Sequence, residues 1–455
     1  MASSSSPLTE LPSSPSSPVE SPSLHQPLVT PVRFFPISLA ELSLRAVLKC
    51  GQTFRWNQSF IKLHPSLKTS FFANEDSKSS LGHGITECEE WSMGWNDRTI
   101  VLRQDDLGVH YVALYPPSAT EAFELDSKSD TTYERLKRYF VLDVSLVALY
   151  REWSRRDPIF STKVASGKWD GLRVCRQDAW ETMVAFICSS NNNIPRISLM
   201  LSRLCATFGD PMPTAPLGVT LSPEDRLRVK PSEDTLLPCL FSFPTPSRLS
   251  QPDVHDQLKQ LGFGYRANYV FQTSARLCEI AKKAQQEGHW PLPDASTIEP
   301  QDQKPILGGE PDQYLDHLSQ KPYEIAHGAL VNQFPGIGRK VADCICLFGL
   351  GFVQIVPVDV HVYQIAIRDY QIQVASSKKT KPSQTKPVNI SPSKVELSSK
   401  GPVSKSNYDE IQKQLHQLWG PWAGWAQQIL FLADLKHPNL ASPIKKKRKL
   451  SQVIL

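Results

Sequence analysis

Phe334-Pro-Gly-Ile-Gly-Arg-Lys340 decides the fold, and Val356-Pro-Val-Asp-Val-His361 follows it in the chain. A residue before proline avoids the α region, so a helix is predicted to end ahead of Pro335. Gly336 and Gly338 flank one apolar residue and permit a tight turn with positive φ. A second helix is predicted from Arg339 to about Leu350. Amides at the start of such a helix lack intrahelical partners and bind anions such as phosphate. The segment therefore suits a grip on a nucleic-acid backbone that reads no sequence. An ordinary helical corner inside a core would use the same glycines.

Lys340 falls in the first turn of the second helix, with Cys344 and Phe348 on its face. The positive end of the helix and a partly apolar wall both disfavour an ammonium. An amine with a pKa of roughly 10.4 is almost wholly charged at neutral pH, and a fall of about three units would free half of it as a nucleophile. The expectation is a lowered pKa. Asp359 lies nineteen residues on. It can cap a helix beginning at Val360. A carboxylate beside a sugar can also stabilise the oxocarbenium charge that develops as a glycosidic bond breaks. The two roles are compatible.

Outward from this centre the predicted class is α+β, with an N-terminal antiparallel β domain at 31–150 and a helical domain at 151–440. Arg98–Arg103 and Val109–Tyr115 alternate as strands. A loop is expected near 62–90. Helical periods follow at Tyr133–Tyr150, Arg176–Ser189, Ile197–Phe208, Val254–Leu261, Ala267–Glu287 and Glu324–Gln333, and resume at Tyr408. Residues 1–30 are Ser and Pro with little else and are expected to be disordered. Surface insertions are expected at about 211–252 and 373–406, and a basic tail at 441–455.

Among 455 residues 37 are proline, and the net charge is only +5, so local clusters of charge must indicate the partner. The nine cysteines form no CxxC pair, which argues against a zinc ribbon or redox motif and fits a reducing compartment. No cysteine follows Cys346 to build an iron–sulfur cluster, and neither metal nor cofactor is expected. No run reaches the ~18 apolar residues of a membrane span. The N-terminus has Glu10 and Glu20 and no Arg before Arg33, unlike a transit segment. Lys445-Lys-Lys-Arg-Lys449 fits a nuclear localisation signal or an arm that adds phosphate affinity.

The quoted segments resemble the helix–hairpin–helix glycosylase superfamily, and within it the eukaryotic 8-oxoguanine DNA glycosylase/AP lyases. Four further blocks agree in order: Cys50-Gly-Gln-Thr-Phe-Arg-Trp56, Phe186-Ile-Cys-Ser-Ser-Asn-Asn-Asn-Ile-Pro-Arg196, Leu261-Gly-Phe-Gly-Tyr-Arg-Ala267 and Trp419-Gly-Pro-Trp-Ala-Gly-Trp-Ala-Gln-Gln-Ile-Leu-Phe431. The resemblance implies that Lys340 is the nucleophile and Asp359 is required with it. It implies that the Gly51 carbonyl accepts the N7 proton of the oxidised base, that Cys344 and Phe431 sandwich that base, that Gln427 reads its edge, and that Pro357 lines the pocket. Asn191 would fill the gap left by the flipped nucleotide. Arg196 and Arg266 would read the orphaned cytosine, Tyr265 would wedge beside it, and His361, with the hairpin of Gly336 and Gly338, would hold phosphate. Pro195 and the insertions depart from the family pattern.

The function so implied is excision of 8-oxoguanine paired with cytosine, followed by strand nicking through β-elimination. The partner is double-stranded DNA, with no membrane association, and a monomer is expected. A bifunctional glycosylase for another oxidised base, and a non-catalytic helix–hairpin–helix module, stay open on the residues alone.

Overall fold

The computed structural model describes residues 26–63, 86–222, 226, 239–291, 309–374 and 403–434. One six-stranded antiparallel sheet is built from β1 (Leu28–Val29), β2 (Arg33–Pro36), β3 (Asn57–Leu63), β4 (Thr86–Gly94), β5 (Thr99–Gln104) and β6 (Gly108–Tyr115). The order is β1-β6-β5-β4-β3, and β2 also pairs with β6. A short helix, α1 (Leu44–Leu48), interrupts the strands, and α2 (Thr120–Ser129) and α3 (Thr131–Tyr139) follow them. Ile100, Leu102, Tyr111 and Ala113 point to one face, where Phe35, Leu136 and Phe140 close a core. Strand alternation explains this face, since side chains two apart share it.

The remaining helices enclose a second and larger core. They are α4 (Leu146–Arg156), α5 (Pro158–Val164), α6 (Ala179–Ser189), α7 (Ile194–Phe208), α8 (Pro246–Leu249), α9 (Val254–Gln260), α10 (Arg266–Glu287), α11 (Gln313–Ser319), α12 (Tyr323–Gln333), α13 (Arg339–Ile345), α14 (Val360–Arg368), α15 (Lys405–Trp419) and α16 (Ala423–Asp434). Helix α6 is buried on nearly every side, from Ala179 through Cys188. A helix apolar all round belongs at the centre, and α6 packs against α7, α10, α11 and α13.

Several expectations change. The helix expected over Tyr133–Tyr150 breaks at Phe140, and Val141 takes φ +52°. The buried Arg173 guanidinium bonds the carbonyls of Phe140 (2.9 Å), Val141 (2.6 Å) and Val144, the acceptors a continuous helix would need. Glu41 then caps the new start, accepting from the Ser145 hydroxyl at 2.7 Å and the Leu146 amide at 2.6 Å. Leu28 and Val29, placed in the disordered tail by composition, pair with Tyr115 and Leu114. The loop expected at 62–90 is narrower, because Lys62–Leu63 end β3 and Thr86–Glu90 begin β4.

The described parts of 211–252, expected at the surface, are partly buried. β7 (Pro211–Met212) pairs with β8 (Leu240–Phe241), and Val219, Phe243 and Leu249 are buried. Glu90 fixes this segment to the sheet by accepting from the amides of Gly218 (2.8 Å) and Thr220 (3.0 Å). Most of 1–30, most of 373–406 and the tail Lys445–Lys449 lie outside the described residues. No described helix is long and apolar enough to cross a membrane.

Candidate active site

The hairpin forms where the sequence places it, with Pro335 just beyond α12 and Lys340 in the first turn of α13. Only Gly336 has positive φ (+81°); Gly338 is extended (φ −86°, ψ 176°) and serves as the cap of α13, which corrects the expectation for that glycine. A Cβ at Gly336 would stand 2.4 Å from Cγ of Tyr269, so the turn needs glycine for both its φ and the close approach. Thr273 donates to the Pro335 carbonyl at 3.4 Å. Helix α10 thus braces the hairpin from behind.

Lys340 Nζ sits 5.6 Å from the centroid of the Phe186 ring. That ring stacks on Phe348, with centroids 5.2 Å apart and planes 8° from parallel. The chain gains the needed register through a π turn at Cys346–Leu350, directly after α13. Such turns are rare and concentrate at functional sites. Burial pushes the Lys340 pKa down, but Cys344, Asp359 and Asp343 raise it by more, so its pKa is above the usual lysine value. The expected lowering is therefore wrong. The sequence argument counted desolvation and the helix end but not the carboxylates that the fold brings in. Burial pushes the Cys344 thiol up to about 11, so at neutral pH it is uncharged.

Asp359 performs its capping role, with Oδ1 accepting from the Val362 amide at 2.9 Å. The same carboxylate acts electrostatically on both Lys340 and Cys344, which brings the three within charge range of one another without a direct ion pair between Lys340 and Asp359. Gln427 (5% exposed) and Phe431 are one turn apart on α16. Phe431 meets the His361 ring edge-on at 5.8 Å. Pro357 is buried in the segment that leads to Asp359.

Gly51 takes φ +85° and packs on Ile194, the first residue of α7. Its neighbour Cys50 faces Gln428, adjacent to Gln427. A cavity of about 560 Å³ lies beside Ile194 between Phe54, Trp56 and Phe241, and Lys340 is not among its lining residues.

A second group assembles at the end of α6. Asn191 has φ +49°, and the Tyr265 hydroxyl donates to the Ser190 carbonyl at 3.1 Å. Arg266 is only 3% exposed. Its guanidinium donates to the carbonyls of Ser190 and Asn191 (3.2 Å) and lies 4.5 Å from the Tyr265 ring centroid. In this structure one nitrogen of Arg266, Nη2, is bonded to these carbonyls, while its Nε is buried without a partner. Arg196 is exposed on the first turn of α7, where Asn193 caps the helix.

Sequence reasoning missed Phe186, Asp343, Tyr408 and Gln412 as members of this site. A carboxylate inside the apolar run Val341-Ala-Asp-Cys-Ile-Cys346 was the available signal for Asp343.

Fold and site together define a helix–hairpin–helix base excision repair protein. Residues 34–183 match the 8-oxoguanine DNA glycosylase, N-terminal domain, and residues 184–389 match the HhH-GPD superfamily base excision DNA repair protein. The chain is 32% identical over 405 residues to the N-glycosylase/DNA lyase of Saccharomyces cerevisiae, covering 88% of this chain and 85% of that one. It is 27% identical over 428 residues to the corresponding protein of Arabidopsis thaliana, covering 92% and 86%. The apo 8-oxoguanine glycosylase/lyase of Clostridium acetobutylicum has the same fold, with a TM-score of 0.53, 18% identity and coverage of 90% and 99%. The chain belongs to the N-glycosylase/DNA lyase family.

Proposed function

We propose that this protein excises 8-oxoguanine paired with cytosine from double-stranded DNA and then nicks the strand by β-elimination. The observation that carries the reading is the electrostatic coupling of Lys340, at the start of the hairpin helix, to Asp359, in a member of the N-glycosylase/DNA lyase family. The named yeast and Arabidopsis relatives join both activities in one chain. A structural neighbour from Clostridium acetobutylicum was solved on duplex DNA with cytosine opposite 8-oxoguanine.

The chemistry follows from the side chains. The hairpin amides hold backbone phosphate, and the damaged nucleotide leaves the stack, as reaction on a base demands. Cys344 and Phe431 take the two faces of the base, Gln427 its edge, and the Gly51 carbonyl the N7 proton that guanine lacks. An acceptor left unpaired by the wrong base discriminates strongly. Pro357 closes the pocket. Asn191 and Tyr265 occupy the gap, while Arg196, joined by Arg266 once it leaves the Ser190 carbonyl, reads the cytosine.

Lys340 must first lose a proton, since the resting amine is charged. Its nitrogen then bonds to C1′ as the C1′–N9 bond breaks, and Asp359 stabilises the positive charge on the sugar. Protonation of O4′ opens the ring to an iminium. Loss of a C2′ proton then expels the 3′ phosphate with the C3′–O electron pair. His361 steadies a neighbouring phosphate. The two protons that Lys340 gives up pass to N9 of the departing base and to O4′, the C2′ proton passes to water, and water finally hydrolyses the iminium to free the lysine.

The test compares excision from duplexes carrying 8-oxoguanine opposite each of the four bases. The expected result is preference for cytosine. Equal cleavage opposite adenine, or preference for an oxidised pyrimidine, would replace the substrate. The tail Lys445–Lys449 is proposed as a nuclear import signal, and a reporter fusion should lose nuclear accumulation with Lys446→Ala plus Lys447→Ala.

A further inference from the structure

Asp343 stands one turn beyond Lys340 on α13, with no exposed surface. Lone buried carboxylates are costly, and this one is surrounded by donors. Its Oδ1 accepts from the Tyr323 hydroxyl of α12 at 2.5 Å, with His327 Nε2 at 3.4 Å. Its Oδ2 accepts from the Tyr408 hydroxyl and from Gln412 Nε2 (2.9 Å), both on α15.

These last two side chains reach further. The Tyr408 hydroxyl also accepts from the Val358 amide at 3.0 Å. Gln412 Nε2 also donates to the Val356 carbonyl at 2.9 Å. Both ends of Val356-Pro-Val358, the segment that delivers Asp359, are thereby bonded to groups anchored on one Asp343 oxygen. On the other side, Arg339, the residue before Lys340, donates to Gln412 Oε1 at 3.2 Å and lies 4.1 Å from the Tyr408 ring centroid. The nucleophile and its partner are nineteen residues apart in sequence, and this carboxylate sits where their two supports join.

We propose that Asp343 is a positioning residue for the excision reaction: through Tyr408 and Gln412 it sets the separation of Lys340 from Asp359. The inference rests on the function proposed above. Asparagine at this position keeps the volume but offers one acceptor oxygen in place of two, so Tyr323, His327, Tyr408 and Gln412 cannot all keep their present partner. The support of Val356-Pro-Val358 through Tyr408 and Gln412 is thereby weakened. The hairpin turn, built from Gly336 and Tyr269, does not depend on these bonds.

The test uses the full-length chain and an 8-oxoguanine:cytosine duplex, with Asp343→Asn, Tyr408→Phe and the double variant. Three quantities are measured: the single-turnover rate constant of excision, the duplex dissociation constant and the melting temperature. Misplacement of reacting groups by about 1 Å costs on the order of 100-fold, so the rate constant is expected to fall roughly 10- to 100-fold in Asp343→Asn. Duplex affinity should stay within about threefold, because phosphate binding is made by the hairpin. Since both substitutions cut the same route, the double variant should be within about twofold of the slower single variant.

Wild-type rates in both single variants would overturn the proposal. So would a rate loss matched by an equal loss of duplex affinity, or effects that multiply. If Asp343→Asn does not fold, Tyr408→Phe, which removes one hydroxyl, is judged by the same readings. A wild-type enzyme without excision activity sinks the function and the inference together, whereas an active wild type with unaffected variants sinks the inference alone.

Discussion

Gly51→Ala tests how the carbonyl proposed to check the lesion is held. Gly51 has φ +85°, and an added Cβ would lie 2.5 Å from Cδ1 and 2.9 Å from Cγ1 of Ile194. An L-residue in this region costs about 1–2 kcal/mol. Pushing Ile194 aside adds about 1 kcal/mol by analogy with overpacked cores. The total is about 2–3 kcal/mol, and any part relieved by backbone movement displaces the Gly51 carbonyl. Chemical denaturation reads the stability loss, and single-turnover excision of 8-oxoguanine against unmodified guanine reads the displacement. Both stability and selectivity should drop. Ile194→Ala removes both contacted atoms, so the double variant should recover about 1 kcal/mol relative to the sum of the singles. A Gly51→Ala protein identical to wild type in both assays, or strict additivity with Ile194→Ala, would refute the reasoning.

Two further outcomes follow from the site and core. The Lys340 pKa is raised, so the neutral fraction grows tenfold per pH unit below that pKa. Excision under single-turnover conditions should accelerate from pH 6 to 9; a flat profile would contradict the charged resting amine. Asp157 caps α5 through the Ile159 and Phe160 amides (2.9 and 3.0 Å) and accepts from Tyr370 (2.6 Å) and Trp419 (2.8 Å). Asp157→Ala should cost about 4 kcal/mol, one cap plus two orphaned buried donors, and lower Tm by roughly 10 °C.

What could be read from the sequence was what local chemistry determines. The prolyl-glycyl turn before Arg339, the alternation in β5 and β6, and the 3.6-residue period of α7 and α10 each carry their signal within a few residues. The group of Lys340, Cys344 and Asp359 was also legible, through the family resemblance. The failures share a cause, namely partners distant in the chain. The break at Phe140 is made by Arg173 and Glu41, neither of which belongs to either helix. The direction of the Lys340 shift depends on Asp359 and Asp343, whose approach no local pattern reveals. The burial of Arg266, with Nη2 on the Ser190 and Asn191 carbonyls, likewise depends on a turn distant in the chain. The segment 211–222 lacks a steady period because its order comes from Glu90 on the sheet.

The central claim concerns a single amine, and reductive trapping interrogates it. Wild-type protein and Lys340→Gln are incubated with an 8-oxoguanine:cytosine duplex in the presence of borohydride, and the covalent product is digested and mapped by mass spectrometry. The expected result is a protein–DNA adduct on the Lys340 peptide in the wild type and none in the variant. An adduct that persists in Lys340→Gln, or maps to another lysine, would contradict the mechanism.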